Sequence, residues 1–538
     1  MKIQKSGPLQ GTVQVPGDKS ISHRAVMFGS IAEGVTKVRG FLKSADCLAT
    51  IDCFRRMGIE IEEGFEKGAE VLRIHGKGLH GLTAPDGPLD AKNSGTTTRL
   101  ISGILAGQPF DTTIIGDASL SRRPMGRIEV PLERMNAWIT STEGHLPMTI
   151  HGGGHLRGID YESEVASAQV KSCLALAGLY AEGETRIIEP TLSRNHTELL
   201  LRAFGANIFS GHDYLATWME EAHERAYGGK ETWTLRRSGD GEQANPGNTD
   251  FTNGKTEAAE FHGSIAIEQG STNSQGFAAS DLEPTEPWLV TAARSAVRRA
   301  ETHRILFGQE FPRMNHKPIC VVHPGNTLHA LDITVPGDIS SAAYFLVAAN
   351  LVPGSELLLK NVGVNPTRAG ILAVLLGMGG SVTEENHSLV GGEPVADLRV
   401  RFAPLHGTII GGKLIPTLID ELPVIAVLAA FAEGDTIIFD ASELRVKESD
   451  RLALIIENLR ALGVLVDELP DGMVIHGNAG HPFHSAVIDP HADHRLAMAF
   501  AVAGLASDDG IQILDDACVA VSYPDFFPAL AAVGAELS

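Results

Sequence analysis

Six times along this chain a short polar cluster runs into an apolar stretch of helical period, then a turn often carrying Gly, then a β-rich run. The clearest copies open VPGDKSISHRA at Val15 and VPGDISSAAYF at Val335. The others open AKNSGTTTRL at Ala91, SEVASAQVK at Ser163, LIDELPVIAV at Leu418 and PHADHRLAM at Pro490. A chain patterned this way folds as a repeat, with its polar helix entrances gathered toward one place.

Copies beginning near residues 16, 91, 163, 336, 418 and 490 are separated by 75, 72, 173, 82 and 72 positions. One gap exceeds the rest by about 100 residues, which marks an insertion. The excess falls between Ala206 and Ile319, where runs such as GDGEQANPGNTDFTNGKTEAAEF predict a segment, at about 212–316, that is flexible in its middle. Its ends, TWMEEAHERAYG and WLVTAARSAVRRAETHRILFG, read as helices. The second is amphipathic and Arg-rich; a solvated helix is the ordinary reading, and a partner or membrane surface the alternative.

With 538 residues, 43% of them hydrophobic, the chain is long enough for two cores. No apolar run approaches the roughly 20 residues that cross a bilayer. MKIQKSGPLQG reads as a first strand and turn rather than a signal peptide. Five cysteines without paired spacing point to a reducing compartment, and a net charge of −22 argues against a nucleic-acid binder. An anionic small ligand stays compatible with that charge, because Arg and Lys clustered in a cleft outweigh a distant, screened field.

A helix start presents unpaired N–H groups and the positive end of its dipole, so several starts aimed at one cleft make a preformed anion site. The copies carry Lys19, Ser20 and Arg24; Asn93, Gly95, Thr96 and Arg99; Ser167, Gln169 and Lys171; Asp338, Ser340 and Ser341; Asp420 and Glu421; and His494 and Arg495. Ordinary N-capping accounts for the small polar residues. It does not account for Lys19, Arg24, Arg99, Lys171 and Arg495, which the dipole disfavours unless an anion or carboxylate compensates. More cations stand between copies, in SRRPMGR (121–127), SRNH (193–196), NPTR (365–368) and RVKESDR (445–451). Glu448, embedded between Lys447 and Arg451, is expected to stay ionised and to relay a proton once substrate charge neutralises those cations.

Other patterns carry less. Gly76, Gly78 and Gly81 spell GxGxxG, yet LHGLTAPDGPL follows where a dinucleotide-binding helix would begin. GDKS lacks the upstream glycine of a phosphate loop. His481, His484, His491 and His494 have zinc-like spacing, but the first pair lies in a Pro-containing stretch and the second at a helix entrance.

The collinear motifs VPGDKSISHRA, NSGTTTRL, RRPMGR, SAQVK, SRNHTE, VPGDISSAA, PTLIDELP, RVKESDRL, DHRLAM and YPDFF together resemble the 5-enolpyruvylshikimate-3-phosphate (EPSP) synthase family, over nearly the whole chain outside the insertion. GDKS, SAQVK, RNHTE and NPTR look like its second sequence class, whose members often tolerate glyphosate. The resemblance implies an α/β (α+β) two-domain enolpyruvyl transferase fold, each domain three βαβαββ units, with the active site in the interdomain cleft. It places a first lobe at 19–335, carrying the insertion, and a second at 1–18 plus 336–538, the chain crossing near Asp18 and Gly337.

The implied reaction transfers the enolpyruvyl group of phosphoenolpyruvate to the 5-hydroxyl of shikimate 3-phosphate and releases phosphate. By motif, Lys19, Gly95, Arg123, Gln169, Arg451 and Arg495 would hold phosphoenolpyruvate. Lys19, Ser20, Arg24, Ser167, Ser193, Asp420 and Lys447 would hold shikimate 3-phosphate, and Asp420, Glu448 and Lys19 would move protons. The resemblance further implies no metal or organic cofactor, no nucleic-acid or membrane partner, a monomer, and a cytoplasmic location.

The chain departs from the family pattern at Ala168, where the other class has serine, and at Val521, where many members have a lysine that Arg127 could replace. It also keeps Gly95 where alanine accompanies glyphosate insensitivity. Two further readings use the same scaffold. The transferase acting on UDP-N-acetylglucosamine carries a loop cysteine where this chain has GDASLSRRPM. A noncatalytic anion-binding protein would have no need of Lys19, Asp420, Glu448 and Arg451 together.

Overall fold

The computed structural model describes residues 1–211 and 317–538. The 212–316 segment, including the two helices expected at its ends, lies outside the described residues. All six predicted entrances open a helix, and five are capped by the side chain that the sequence supplies. Asp18, Ser94, Ser167, Asp338 and Asp493 accept from the backbone N–H of Ile21, Thr97, Val170, Ser340 and Arg495. The fifth entrance has no side-chain cap and starts instead with Pro423 in its first turn, where a missing N–H costs nothing.

Each copy pairs its entrance helix with a second one. In chain order these are α1 (Lys19–Ile31), α2 (Ala45–Arg56), α3 (Gly95–Leu105), α4 (Gly126–Arg134), α5 (Ala168–Gly178), α6 (His196–Ala203), α7 (Ile339–Leu351), α8 (Gly370–Gly377), α9 (Leu422–Phe431), α10 (Arg451–Ala461), α11 (His494–Gly504) and α12 (Phe526–Ala532). Every residue of α7 is buried, as is every residue of α11. A helix apolar all round can only lie inside a core.

Five four-stranded sheets share one pattern, a parallel pair followed by two antiparallel neighbours, and a sixth has three strands. Leu89–Asp90, for example, runs parallel to Thr112–Ile115, which pairs antiparallel with His145–His151, itself paired antiparallel with Trp138–Thr142. The first and fourth copies exchange their opening strands. Gln10–Val13, which precedes α1, pairs with Glu356–Gly363, while Asp332–Thr334, which precedes α7, pairs with Glu33–Arg39. Buried side chains accordingly form two clusters, one drawn from residues 21–335 and one from residues 3–15 and 339–535.

The two VPGD sequences meet where the strands exchange. Gly17 and Gly337 bridge antiparallel, with Asp18 N–H on Pro336 O at 2.8 Å and Asp338 N–H on Pro16 O at 2.9 Å. A Cβ on Gly17 would stand 1.9 Å from the Gly40 carbonyl oxygen, so only glycine lets the backbones approach. The insertion's place is also fixed. Ile208–Ser210 and Ile319–Val322 are antiparallel neighbours, with Ser210 opposite Cys320, so the segment between them leaves the sheet at a hairpin end.

Helices α3 and α5 touch through backbone at Gly103, where a Cβ would lie 2.1 Å from Cys173 O. Gly103→Ala therefore has to push the pair apart. Urea unfolding should show a loss of about 1–3 kcal/mol with an unchanged slope.

Candidate active site

The turn before α9 delivers Asp420 into the densest charge cluster among the described residues. Its Oδ2 accepts from Arg194 at 2.5 Å, with Arg368 and Arg495 each 3.8 Å away, and its Oδ1 faces Lys447 and Arg451 at 3.5 Å each. These cations come from stretches far apart in sequence, and Arg194 belongs to the half that builds the other core. Burial would raise the carboxyl's pKa, but Lys447, Arg495, Arg194 and Arg368 outweigh it and hold Asp420 well below the usual carboxylate range. The same burial lowers the Lys447 ammonium, against the pull of Asp420.

Glu448 pairs with Arg451 at 2.6 Å, and Arg451, wholly buried, also binds Asp493 at 2.7 Å. Burial opposes the charge of Glu448, yet Arg451, Arg123, His494 and Lys447 drive its pKa far down. The cations expected around it from the sequence, Lys447 and Arg451, are among those that favour its charged form. Lys19 forms an ion pair with Asp46. Burial works against its charge, but Asp46 more than compensates and the ammonium's pKa is raised. Its backbone N–H reaches across to Asp338 at 3.3 Å.

At the second and third entrances, Arg99 donates to Gln169 Oε1 at 2.8 Å and Gln169 Nε2 donates to Thr96 at 3.2 Å. Arg123 is held by Asn93 Oδ1 at 2.6 Å and Ser119 at 3.2 Å, while its Nε is buried without a hydrogen-bond partner among the described residues. A Cβ on Gly95 would lie 2.8 Å from Arg99 Nη1 and 3.5 Å from Arg123 Nη1, so this glycine leaves both guanidinium groups their room. Ser167 caps α5. The buried Ser193 hydroxyl also lacks a hydrogen-bond partner among the described residues. Arg24 is fixed by Thr197 at 2.7 Å, Ser172 at 2.9 Å and the Ser20 carbonyl at 2.9 Å.

Two expectations change with the geometry. Lys171 does not join the anion cluster; its ammonium is buried between Glu189 and Glu198, each at 2.9 Å. Arg127 does not stand free to replace the lysine absent at Val521, because Glu443 holds it bidentately at 2.8 and 2.9 Å.

A family model described as EPSP synthase (3-phosphoshikimate 1-carboxyvinyltransferase) matches residues 3–225 and 254–530. The chain belongs to the EPSP synthase family. A 3-phosphoshikimate 1-carboxyvinyltransferase of Xanthomonas campestris pv. campestris is 41% identical over 536 residues, covering 99% of this chain and 97% of that protein. The relative of that name from Geobacter sulfurreducens is 43% identical over 520 residues, covering 96% and 95%. Among solved structures, an EPSP synthase from Acinetobacter baumannii superposes with a TM-score of 0.71 at 36% identity, covering 99% of this chain and 97% of that one. The enolpyruvyl transferase NikO from Streptomyces tendae, at 15% identity and a TM-score of 0.64 over 99% and 97% of the two chains, shares the fold.

Sequence reading of this EPSP synthase family member left out Arg194 and Arg368 as site residues, although it noted the stretches SRNH and NPTR that contain them. Both guanidinium groups reach Asp420, and Arg368 also binds Glu421 at 3.0 Å. For Arg194 the available signal was its place beside the candidate Ser193; Arg368, between Thr367 and Ala369, had no such neighbour. Asp46 and Asp493 gave none, because an acidic residue near a helix start reads as an ordinary cap.

Burial and the neighbouring Lys19 lower the pKa of His494 from 6.5 to about 3, so the ring is neutral in the fold. The unfolded chain takes up a proton below about 6.5 that the folded chain refuses until about 3. Stability is therefore complete above this window and falls as pH drops through it. Urea unfolding from pH 7 to pH 4 should show this decline, and His494→Asn should make it shallower.

Proposed function

We propose that this chain transfers the enolpyruvyl group of phosphoenolpyruvate to the 5-hydroxyl of shikimate 3-phosphate and releases phosphate, as its relatives' name describes. The observation that carries the reading is the convergence on Asp420 of Lys447, Arg451, Arg194, Arg368 and Arg495. A reaction joining two polyanions needs cations held together before either arrives and a base between them.

In the proposed assignment, Lys19, Arg123, Gln169, Arg451 and Arg495 hold phosphoenolpyruvate, and Gly95 gives its carboxylate and phosphate room beside Arg99 and Arg123. Ser20, Arg24, Ser167, Ser193 and Lys447, joined by Arg194, hold shikimate 3-phosphate. Glu448, ionised in the empty site, takes up a proton as substrate anions engage Arg451, Arg123 and Lys447, and with Lys19 beside the site delivers it to C3 of the enol, which leaves C2 electrophilic. The 5-hydroxyl attacks C2 as Asp420 takes its proton. The tetrahedral adduct then expels phosphate, which carries off the proton Asp420 took, while Glu448 recovers a proton from C3. The low pKa of Asp420 belongs to the empty site. Substrate anions that engage Arg194, Arg495 and Lys447 weaken their hold on the carboxylate and raise its basicity.

The two lobes are taken as 19–335 and 1–18 plus 336–538, supported by the exchanged strands and by the two buried clusters. The enzyme is taken as monomeric, and a cytoplasmic location is supported by five cysteines that are all free and buried. Among the described residues, no single helix is long and apolar enough to cross a membrane.

Phosphate release should require shikimate 3-phosphate and should not occur with UDP-N-acetylglucosamine. Asp420→Asn and Glu448→Gln should each slow turnover by roughly 10²–10⁴-fold while calorimetry still detects binding of shikimate 3-phosphate. Unchanged turnover in either variant would remove that residue from the proton path.

A further inference from the structure

Behind Ser193 and Arg24, and touching neither Asp420 nor Glu448, lies a second ionic group. The Lys171 side chain on α5 is 1% exposed, and Glu189 and Glu198 are 3% and 0% exposed. The ammonium meets Glu189 Oε2 at 2.9 Å, Glu198 Oε1 at 2.9 Å and the Ser193 carbonyl at 3.2 Å. Its hydrogen bond goes to the Ser193 carbonyl, and the two carboxylates flank it as ion pairs. Glu189 Oε2 also accepts from the Ser193 N–H at 3.4 Å, so both backbone groups of Ser193 are engaged by the trio. The residues next in sequence serve Arg24. Ser172, after Lys171, and Thr197, before Glu198, lie 2.6 Å apart and accept from its guanidinium at 2.9 and 2.7 Å.

Three buried charges bring little net stability over an apolar trio of the same volume. What they do provide is direction. A buried ammonium hydrogen-bonded to the Ser193 carbonyl and ion-paired with Glu189 and Glu198 ties the end of the Thr185–Ile188 strand, the loop after it and the start of α6 to one another. That loop carries the unpartnered Ser193 hydroxyl and Arg194. We propose that Lys171, Glu189 and Glu198 are positioning residues, a clamp that presets Ser193, Arg194 and Arg24 for one substrate, shikimate 3-phosphate, and leaves the phosphoenolpyruvate side alone. The substrate named rests on the reaction proposed above; the clamp itself does not.

Two variants of the full chain test it: Glu189→Gln, and the neutral combination Lys171→Met, Glu189→Gln and Glu198→Gln, which leaves no uncompensated charge should the single change fail to fold. Steady-state kinetics should show KM for shikimate 3-phosphate raised about tenfold, with KM for phosphoenolpyruvate and kcat within about threefold of the native chain. Amide hydrogen exchange without substrate should quicken over 190–195 and stay slow over 173–178. Equal rises in both KM values with a lower Tm would reduce the trio to a structural ion cluster. Unchanged exchange over 190–195 would overturn the clamp whatever the kinetics. Absent turnover by the native chain would overturn the reaction alone, since exchange reads the clamp directly.

Discussion

Cations crowded at helix entrances repel one another and the positive ends of the dipoles behind them, so carboxylates and other acceptor oxygens have to lie between them. Several cations here have such a neighbour: Lys19 has Asp46, Arg451 has Asp493 and Glu448, Arg368 has Glu421, and Asp420 serves five at once, whereas Arg24, Arg99 and Arg123 are held by hydroxyl, amide and carbonyl oxygens. The carboxylates also explain how Lys171 can sit buried near a helix start. The rest of the fold can be read as the means of bringing these pairs to one place.

That delivery depends on the repeat. A parallel strand pair sets a helix entrance at one end of a sheet, and six such sheets give six entrances. The exchange of opening strands between the first and fourth copies ties the two buried clusters together through Gly17 and Gly337. The ties continue beside it. His196 meets Glu393 at 2.8 Å and Asn365 meets Asn195 at 2.8 Å, both linking residues from the two sides.

The repeat was legible because helical periodicity, caps and turn glycines are local signals, and all six predicted helix starts are present. The α/β fold followed from the resemblance carried by the collinear motifs, and Lys19, Arg24, Arg99 and Arg495 stand at the entrances where the sequence puts them. What the sequence hid was pairing over long separations. Nothing in NPTR or SRNH says that Arg368 and Arg194 share Asp420, 52 and 226 residues away. Nothing local says that Lys171 faces Glu189 and Glu198 rather than the cleft. The strand exchange was silent in the local pattern and came only from the resemblance, through the crossings near Asp18 and Gly337, because Gln10–Val13 and Asp332–Thr334 are both short strands just before their helices and differ in the sheet they join.

Internal pairing of the cations has a consequence for how a ligand arrives. With a net charge of −22 on the chain and the cations around Asp420 and Glu448 already matched, an approaching dianion finds little long-range attraction, and what there is fades beyond about 10 Å at 0.1 M salt. Capture is thus an exchange of partners at contact, in which the ligand's oxygens take the places of the protein's own carboxylates. Such a site loses less to rising ionic strength than an open basic groove would, and its association rate is set by local rearrangement rather than by electrostatic steering.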